Sequence, residues 1–282
     1  MRLVRVVLLV LAMLMVLQAP AWAAPRPAAT YLALGNSVAF GIGASNNYGY
    51  VPLLHDFLTA RSCGSGEAVG CRLDLVNIAE PGATSTSLIE GTQPTQLVKA
   101  EQLLVERNHN ATPTDDVRLI TLDIGGNDVF GPVFEVCVPD PTVAACQATI
   151  ARQLVLLAAN YETILSRLRA AAGPETTIAV MTYYNPLPGC PLSDFSGLAD
   201  AVLEGGPPLP LTVSGLNDII RAAAKDNGAV VAETKGVVGS GDLVGDCLHP
   251  NDSGHAAIAG AFSDLPAVAA VAGARPGFAR RS

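Results

Sequence analysis

The sequence is poor in the residues that several classes of protein require. Of its 282 residues, 15% are charged and 5% are aromatic, and the formal net charge is −8 at neutral pH. Proteins that bind DNA or RNA carry a basic surface, so this acidic balance argues against a nucleic-acid partner. Half of the residues are apolar, which is too many for an intrinsically disordered chain. The composition therefore predicts a folded globular protein, long enough for one large domain or two small ones.

Long hydrophobic runs are scarce, and the longest lies at the N-terminus. Residues 6–17 are 12 consecutive apolar residues, preceded by Arg2 and Arg5 and followed by a small-x-small pattern that ends at Ala23. This pattern is typical of a secretory signal peptide over residues 1–23 that is cleaved after Ala23. The alternative is an uncleaved membrane anchor, but the run is short of the roughly 20 residues that span a bilayer. We therefore expect a secreted, extracellular protein.

Cysteine is sparse, and its spacing does not indicate a zinc site. The six cysteines form no C-x2-C unit, and the histidines form no H-x3-H unit, so zinc binding is the less favoured explanation. An even number of cysteines in a secreted chain instead indicates disulfide bonds, although the sequence leaves their connectivity open. We expect pairing in sequence order, which gives Cys63–Cys71, Cys137–Cys146 and Cys190–Cys247.

What the sequence does contain is a regular alternation of strand and helix patterns. The predicted strands cover residues 31–34, 73–78, 118–124, 177–182 and 229–232, and the predicted helices cover residues 49–61, 95–107, 148–172, 213–226 and 253–271. Continuous apolar strands are typical of a parallel sheet that is covered on both faces. The sequence therefore predicts a three-layer α/β/α fold with a doubly wound, parallel, five-stranded sheet. Asp252 or Ser253 is expected to cap the last helix.

The alternation continues without an internal repeat or a linker. Residues 24–273 are therefore predicted to form one domain, followed by a frayed tail at residues 274–282. Two segments depart from the alternation: residues 131–147 contain one pair of cysteines, and residues 185–211 contain six prolines and several large apolar residues. A connection as long as 185–211 is usually functional or disordered. Its hydrophobicity argues against disorder, so we assign this segment to substrate binding.

Polar residues and glycine follow four of the predicted strands, at the points where the strands end. Ser37 follows the first strand, Gly82 the second and Asn127 the third, and Asp246 and His249 follow the fifth. Ligands of open parallel sheets bind outside the carboxyl ends of the strands, so these loops are expected to meet at one edge. Serine becomes a nucleophile when a histidine takes its proton and a carboxylate orients that histidine. This set of residues therefore predicts acyl transfer.

Four short motifs in these loops resemble the SGNH, or GDSL, hydrolase superfamily of esterases and lipases. They are Gly-Asn-Ser at residues 35–37, the glycine of Pro-Gly-Ala at residues 81–83, G-x-N-D at residues 125–128 and D-x-x-H at residues 246–249, and they follow one another in that order. The resemblance implies a flavodoxin-like fold and a catalytic triad of Ser37, His249 and Asp246. It also implies an oxyanion hole made by the N–H groups of Ser37 and Gly82 and by the side-chain amide of Asn127.

The first motif departs from the family's common Gly-Asp-Ser-Leu, because Asn36 and Val38 occupy its second and fourth positions. Asn36 keeps an amide that can hold a loop by hydrogen bonds, but it carries no charge. The similarity is greatest to secreted, actinobacterial-type members with three disulfides. Some of these use a backbone carbonyl in place of the carboxylate, but Asp246 is present here, which favours a complete triad.

We therefore predict a secreted serine esterase or lipase that cleaves acyl esters through an acyl-enzyme, without a cofactor or a metal. Its expected partner is a small ester or a lipid, with transient contact with a lipid surface, and the protein itself is expected to be a monomer. One alternative is an O-acetylesterase acting on carbohydrate or peptidoglycan, and another is a catalytically inactive binding protein on the same fold. His55, His109 and His255 are predicted to be ordinary helix residues, and Asp128 is predicted to support its loop.

Overall fold

A computed structural model describes residues 28–63, 73–112, 114–138, 140–206 and 214–272 of the chain. The predicted signal peptide at residues 1–23 and the predicted tail at residues 274–282 lie outside these residues. The predicted Cys63–Cys71 bridge also depends on side chains outside the described part, so all three remain expectations. Among the residues that the structure describes, no helix is both long enough and apolar enough to cross a membrane.

The regular structure of the described residues consists of five strands, ten α-helices and three short 3-10 turns. The strands are β1 (Ala29–Gly35), β2 (Leu73–Asn77), β3 (Val117–Asp123), β4 (Thr177–Met181) and β5 (Val230–Ala232). The helices are α1 (Ser37–Phe40), α2 (Tyr50–Cys63), α3 (Ser85–Glu90), α4 (Gln96–Asn108), α5 (Gly126–Cys137), α6 (Ala144–Ala172), α7 (Ser196–Glu204), α8 (Leu216–Asp226), α9 (Asp252–Ser263) and α10 (Pro266–Val271).

All five strands are parallel and form one sheet in the order β2-β1-β3-β4-β5. Helices α2 and α9 pack against each other on one face, and α6 packs between α4 and α8 on the other. The inner strands β1 and β3 are therefore buried along nearly their whole length. Burial on both faces explains why these strands are continuous apolar runs. The predicted three-layer fold with a five-stranded parallel sheet is confirmed.

The last predicted helix is in fact two helices. The apolar pattern predicted one helix over residues 253–271, but α9 ends at Ser263 and α10 begins at Pro266. Proline has no backbone N–H to give to a preceding turn, so it fits the start of a helix and not its interior. The apolar pattern continued across this break because α9 and α10 both pack against the core.

The prediction that Asp252 or Ser253 caps α9 is wrong, because Asn251 is the capping residue. Its side-chain oxygen accepts hydrogen bonds from the N–H groups of Ser253, at 3.0 Å, and Gly254, at 3.1 Å. The carboxylate of Asp252 instead accepts hydrogen bonds from the N–H and the hydroxyl of Ser45, each at 2.7 Å. The start of α9 is thereby joined to the loop that follows α1.

Most of the segment 131–147, which departs from the strand–helix alternation in the sequence, is helical. Its first half belongs to α5, and its last residues form the first turn of α6, which begins at Ala144 instead of residue 148. Two glycines at the start of α5 and Pro132 inside it indicate a turn or loop in a sequence, so helix α5 was not predicted. The predicted disulfide Cys137–Cys146 is present and joins the end of α5 to the first turn of α6.

The segment 185–211 was assigned to substrate binding for its hydrophobicity, but its described part, residues 185–206, is used mainly for packing. It contains α7, and its residues Leu187, Leu198, Val202 and Leu203 are buried. Of these described residues, Pro186 alone lines the cavity beside Ser37. The assignment is therefore wrong for most of residues 185–206, because a large apolar residue is as readily explained by the protein core as by a ligand.

Candidate active site

The turn that carries Ser37 is buried and is held from two sides. The N–H and C=O of Gly35 bond to the side-chain amide of Gln96, each at 2.9 Å. On the other side, Asp123 Oδ1 accepts the N–H of Asn36 at 3.0 Å. A Cβ on Gly35 would lie 1.7 Å from Asp123 Oδ1, and the φ of Gly35 is +148°. Only glycine fits this position, since it has no Cβ and tolerates a positive φ.

Asn36 fixes the start of the short helix α1. Its side-chain oxygen accepts the N–H of Val38 at 2.9 Å, which caps the helix. Its side-chain nitrogen donates to the hydroxyl of Tyr183 at 2.8 Å. Ser37 is the first residue of α1, so this cap determines where the serine side chain lies. The amide at the second position of the motif thus supplies both a capping acceptor and a donor to a distant tyrosine.

Ser37, His249 and Asp246 form a chain of hydrogen bonds at the carboxyl edge of the sheet. His249 Nε2 lies 2.8 Å from Ser37 Oγ, and His249 Nδ1 lies 2.6 Å from Asp246 Oδ2. Asp246 Oδ1 also accepts the backbone N–H of His249, at 3.0 Å. A carboxylate facing Nδ1 favours the tautomer with the proton on that nitrogen, which leaves Nε2 able to accept the serine proton.

The carboxylate of Asp246 is stabilised in its charged form. Partial burial raises the pKa of Asp246, but hydrogen bonds from the ring and the N–H of His249 and from the N–H of Leu248 together outweigh it. The pKa of Asp246 therefore lies below its ordinary value. A negative charge is thus present beside the imidazole, where it stabilises an imidazolium.

The loop that carries the aspartate and the histidine has no regular secondary structure and is tethered to the segment that follows β4. Cys247 has a φ of +60°, which is uncommon for a residue with a Cβ. It forms a disulfide with Cys190, as predicted from the sequence. The hydroxyl of Tyr184 donates to the carbonyl of Leu248 at 2.7 Å. A covalent bond and a buried tyrosine thus hold a loop that is otherwise exposed.

The two further predicted oxyanion donors lie on neighbouring segments, one in a helix and one in a turn. Asn127 is in the first turn of α5 and lines the same cavity as Ser37 and His249. One N–H of its side chain donates to the carbonyl of Ala83 at 2.9 Å, which leaves the second N–H for a ligand. Gly82 precedes Ala83 in an exposed turn with a φ of +79°. The structure places Asn127 in the cavity wall, and it places Gly82 in the neighbouring loop, outside that wall.

A cavity of about 220 Å³ opens beside the serine. Its apolar wall is formed by Val38, Phe130, Phe134, Pro186 and Leu248. The two phenylalanines stack on each other, with ring centroids 5.6 Å apart. No lysine, arginine, aspartate or glutamate is among the described residues that line the cavity. The serine hydroxyl, the imidazole and a side-chain amide therefore meet at one end of an apolar space.

Two buried aspartates support these loops from outside the cavity. Burial raises the pKa of Asp123 well above its ordinary range, although hydrogen bonds from the backbone, including the Asn36 N–H, oppose the shift. Burial likewise raises the pKa of Asp128, against hydrogen bonds from Ser85. Asp128 accepts the N–H of Ser85 at the start of α3. This contact agrees with the supporting role that the sequence predicted for Asp128.

The other three histidines contact backbone groups instead of the serine. His255 is buried in α9, where its Nδ1 accepts the N–H of Tyr50 at 3.1 Å and its Nε2 lies 3.0 Å from the carbonyl of Ile42. His55 and His109 each contact a backbone carbonyl through Nε2. Within the described ranges, no cluster of histidine, cysteine and carboxylate side chains could hold a metal ion.

Most of the chain matches a known protein family. Residues 33–257 match the model of the GDSL-like lipase/acylhydrolase family. The chain belongs to this family. Its matched region contains every candidate site residue, from Ser37 to His249. The family comprises lipases and acylhydrolases, so the substrate of this GDSL-like hydrolase is an ester or lipid small molecule.

Solved structures of hydrolases share the fold at low sequence identity. One is a lipase from a goat rumen metagenome, with 19% identity over 83% of this chain and 95% of that one and a TM-score of 0.58. Another is an extracellular lipase from Streptomyces rimosus, with 18% identity over 81% and 95% of the two chains and a TM-score of 0.52. A third is phospholipase A1 from Streptomyces albidoflavus, with 21% identity over 82% and 95% and a TM-score of 0.50. Among curated protein sequences, none matches this GDSL-like hydrolase.

Proposed function

We propose that this GDSL-like hydrolase cleaves carboxylic esters through an acyl-enzyme formed on Ser37. The observation that carries the proposal is the position of His249, whose two ring nitrogens lie 2.8 Å from Ser37 Oγ and 2.6 Å from Asp246 Oδ2. A serine hydroxyl is a weak nucleophile until a base within hydrogen-bond reach takes its proton. A third group that orients the base completes the arrangement that acyl transfer requires.

In the proposed mechanism, Ser37 Oγ attacks the ester carbonyl carbon while His249 Nε2 takes the serine proton. Asp246 stabilises the resulting imidazolium. The side-chain amide of Asn127 and the N–H groups of Ser37 and Gly82 donate hydrogen bonds to the oxyanion of the tetrahedral intermediate. His249 then gives its proton to the leaving alcohol, and the acyl group remains on Ser37. Water attacks this acyl-enzyme with His249 again acting as the base, and the acid is released.

The cavity supports an uncharged, apolar acyl group as the substrate of this reaction. Its wall carries two stacked phenylalanines, Phe130 and Phe134, and no lysine or arginine among the described lining residues that could neutralise an anionic group. The acyl group of a sugar acetate has a single methyl group, which would leave most of this apolar wall uncovered. We therefore favour an esterase or lipase acting on fatty-acyl esters over a carbohydrate or peptidoglycan O-acetylesterase.

Secretion is part of the proposal. The disulfides Cys137–Cys146 and Cys190–Cys247 support an oxidising compartment, in agreement with the signal peptide predicted at residues 1–23. The monomeric state and the transient contact with a lipid surface remain predictions.

The test is hydrolysis of p-nitrophenyl esters from acetate to palmitate by the wild-type protein and by Ser37→Ala. We expect turnover by the wild type and a loss of at least about 10⁴-fold in kcat for the variant, as for other catalytic serines. Ser166→Ala, which removes an exposed hydroxyl on α6, is the matched control and should retain activity. Turnover that persists in Ser37→Ala would exclude this serine as the nucleophile. An inactive wild type would favour the binding-protein alternative.

A further inference from the structure

One face of helix α5 forms a stripe that runs from the oxyanion region along the apolar cavity. Asn127, Phe130, Gly131 and Phe134 all line the cavity, and their spacing of three, four and seven residues places them on one side of a helix. The stripe extends for about 10 Å, at 1.5 Å per residue. The helix that presents the side-chain amide of Asn127 therefore also presents the wall that follows it.

The opposite wall continues the apolar character of this face. Val38 comes from α1, immediately after Ser37, and Pro186 and Leu248 come from the two loops that the Cys190–Cys247 disulfide joins. The groups that could react with an ester and the groups that could hold an apolar chain are thus in one space. An ester carbonyl at Ser37 would leave its acyl chain between α5 and these loops.

The cavity is partly open to solvent, so its size determines how much of an acyl chain it covers and not how long a chain can enter. An apolar cavity of about 150 Å³ accommodates one benzene molecule, and the cavity here measures about 220 Å³. Part of this space must hold the ester group beside the serine. On that scale the remainder covers roughly six to eight carbons of an acyl chain.

Gly131 is the position in the stripe where the wall can be changed with least disturbance. A Cβ placed on Gly131 would meet no atom within 4 Å, whereas a Cβ on Gly126 at the start of the same helix would lie 2.8 Å from the ring of Tyr183. Gly131 is exposed as well as lining the cavity, so a larger side chain there can extend without displacing residues of the core. Phe134 also lines the cavity, about one turn further along the helix, so truncating its ring would enlarge the space available to an acyl chain.

We infer that the stripe on α5 binds the acyl chain of the substrate, and that Gly131 and Phe134 determine which chain length is preferred. This inference rests on the proposed esterase function and adds to it a substrate class, namely esters of medium-chain fatty acids. It also moves substrate binding from segment 185–211, where the sequence placed it, to a helix that the sequence did not reveal.

The experiment compares kcat/KM for p-nitrophenyl butyrate, octanoate and dodecanoate in the wild type, Gly131→Leu and Phe134→Ala. The wild type should prefer octanoate. Gly131→Leu should lower the octanoate-to-butyrate ratio by about tenfold or more, since one misplaced methylene in an apolar pocket changes rates by that order. Phe134→Ala should raise the dodecanoate-to-octanoate ratio by a similar factor.

Two matched variants separate chain-length selection from other effects. Gly260→Leu enlarges a helical glycine in α9 that also has open space around it. Phe57→Ala removes an exposed phenylalanine on α2. The ratios of both should equal those of the wild type.

The outcomes distinguish this inference from the proposed function. Unchanged ratios in both Gly131→Leu and Phe134→Ala, with ester hydrolysis intact, would overturn the inference and leave the esterase proposal standing. If Gly131→Leu fails to fold, an unchanged ratio in Phe134→Ala is sufficient to overturn it. A wild type that hydrolyses none of the three esters would overturn the proposed function itself.

Discussion

The two halves of the candidate active site are held in place by different forces. The turn that carries Ser37 is buried, and side chains from α4 and β3 hold its backbone from both sides. The loop that carries His249 lies at the surface, where the side chain of Asp246 is 45% exposed. That loop depends on its own carboxylate, on one disulfide and on a tyrosine hydroxyl.

The nucleophile and the base should therefore respond to separate perturbations. Buried hydrogen bonds and close packing determine the position of the serine, so a change there acts on the whole fold. The position of the histidine depends on a covalent tether between two loops, so a change there acts on the site while the sheet remains intact. Buried segments open only with the global unfolding free energy, whereas surface loops open at much lower cost.

The largest effect on the unfolding free energy is expected from Gly35→Ala, which disturbs the buried turn that carries Ser37. The added Cβ would lie 1.7 Å from Asp123 Oδ1 at a φ of +148°, so β1, β3 or the turn must move. We expect a loss of more than about 4 kcal/mol in unfolding free energy, or no folded protein. Gly236→Ala, at a φ of +79° with open space around the Cβ, should cost only about 1–2 kcal/mol. Equal losses in urea unfolding would show that the turn is not tightly packed.

Cys190→Ala/Cys247→Ala removes the disulfide that holds the exposed loop of Asp246 and His249. The bond closes a loop with a sequence separation of 57, and chain-entropy estimates give a loss of about 4 kcal/mol. Activity should also fall, because the bond holds the residue beside Asp246. Hydrogen exchange should show Leu248 losing protection while Asn36 keeps it. The control Cys137→Ala/Cys146→Ala opens a loop with a separation of 9 and should cost about 3 kcal/mol. Unchanged kcat/KM in the first variant would contradict the comparison.

Asn127→Ala removes a side chain in the first turn of α5 that is proposed to act in the reaction itself. Its side-chain amide is a proposed oxyanion donor, and the removal of one such donor lowers kcat by about 10²–10³. Asn160→Ala is a suitable control, because that side chain donates to Ser85 and Thr86 outside the cavity. An effect on KM alone would make Asn127 a substrate-binding residue.

Asp123→Asn should have the smallest effect on activity. The substituted amide keeps an oxygen that can accept the Asn36 N–H, so the turn that carries Ser37 remains held. Burial holds the pKa of Asp123 above its value in the unfolded chain. The unfolded state therefore releases this proton first, and the carboxyl costs stability as the pH rises above about 4. Asparagine does not ionise, so the stability of the variant lacks this dependence on pH. Its stability relative to the wild type should rise between pH 4 and neutral pH, as measured by urea unfolding. A constant difference across that range would show that Asp123 ionises normally.

The sheet and the meeting of the loops could be predicted from the sequence, and the supporting contacts could not. Short, mainly apolar runs marked all five strands, because a parallel sheet covered on both faces favours them. The ends of those strands then indicated which loops would meet. In contrast, Gln96 and Asp123 hold the serine turn from 61 and 87 residues away, and no local pattern reveals a partner at such a distance.

Helix α5 shows why the cavity escaped prediction. Its glycines at 125 and 126 and Pro132 are the residues by which helices are judged to end, yet here they start a helix and lie within it. Substrate binding was predicted for segment 185–211 because of its apolar residues, although most of them belong to the core. A sequence pattern reports that a residue is buried, but it does not report whether protein or ligand covers it.

The site at which a serine-specific phosphonate reacts, mapped by mass spectrometry, tests most directly whether Ser37 is the nucleophile. We expect one adduct per chain, located on Ser37, and its formation should be slowed severely in His249→Ala, because the base that activates the serine is missing. His55→Ala, which removes a histidine of α2, should react at the wild-type rate. An adduct on another residue, or undiminished labelling of Ser37 in His249→Ala, would contradict the claim that this serine is a nucleophile activated by that histidine.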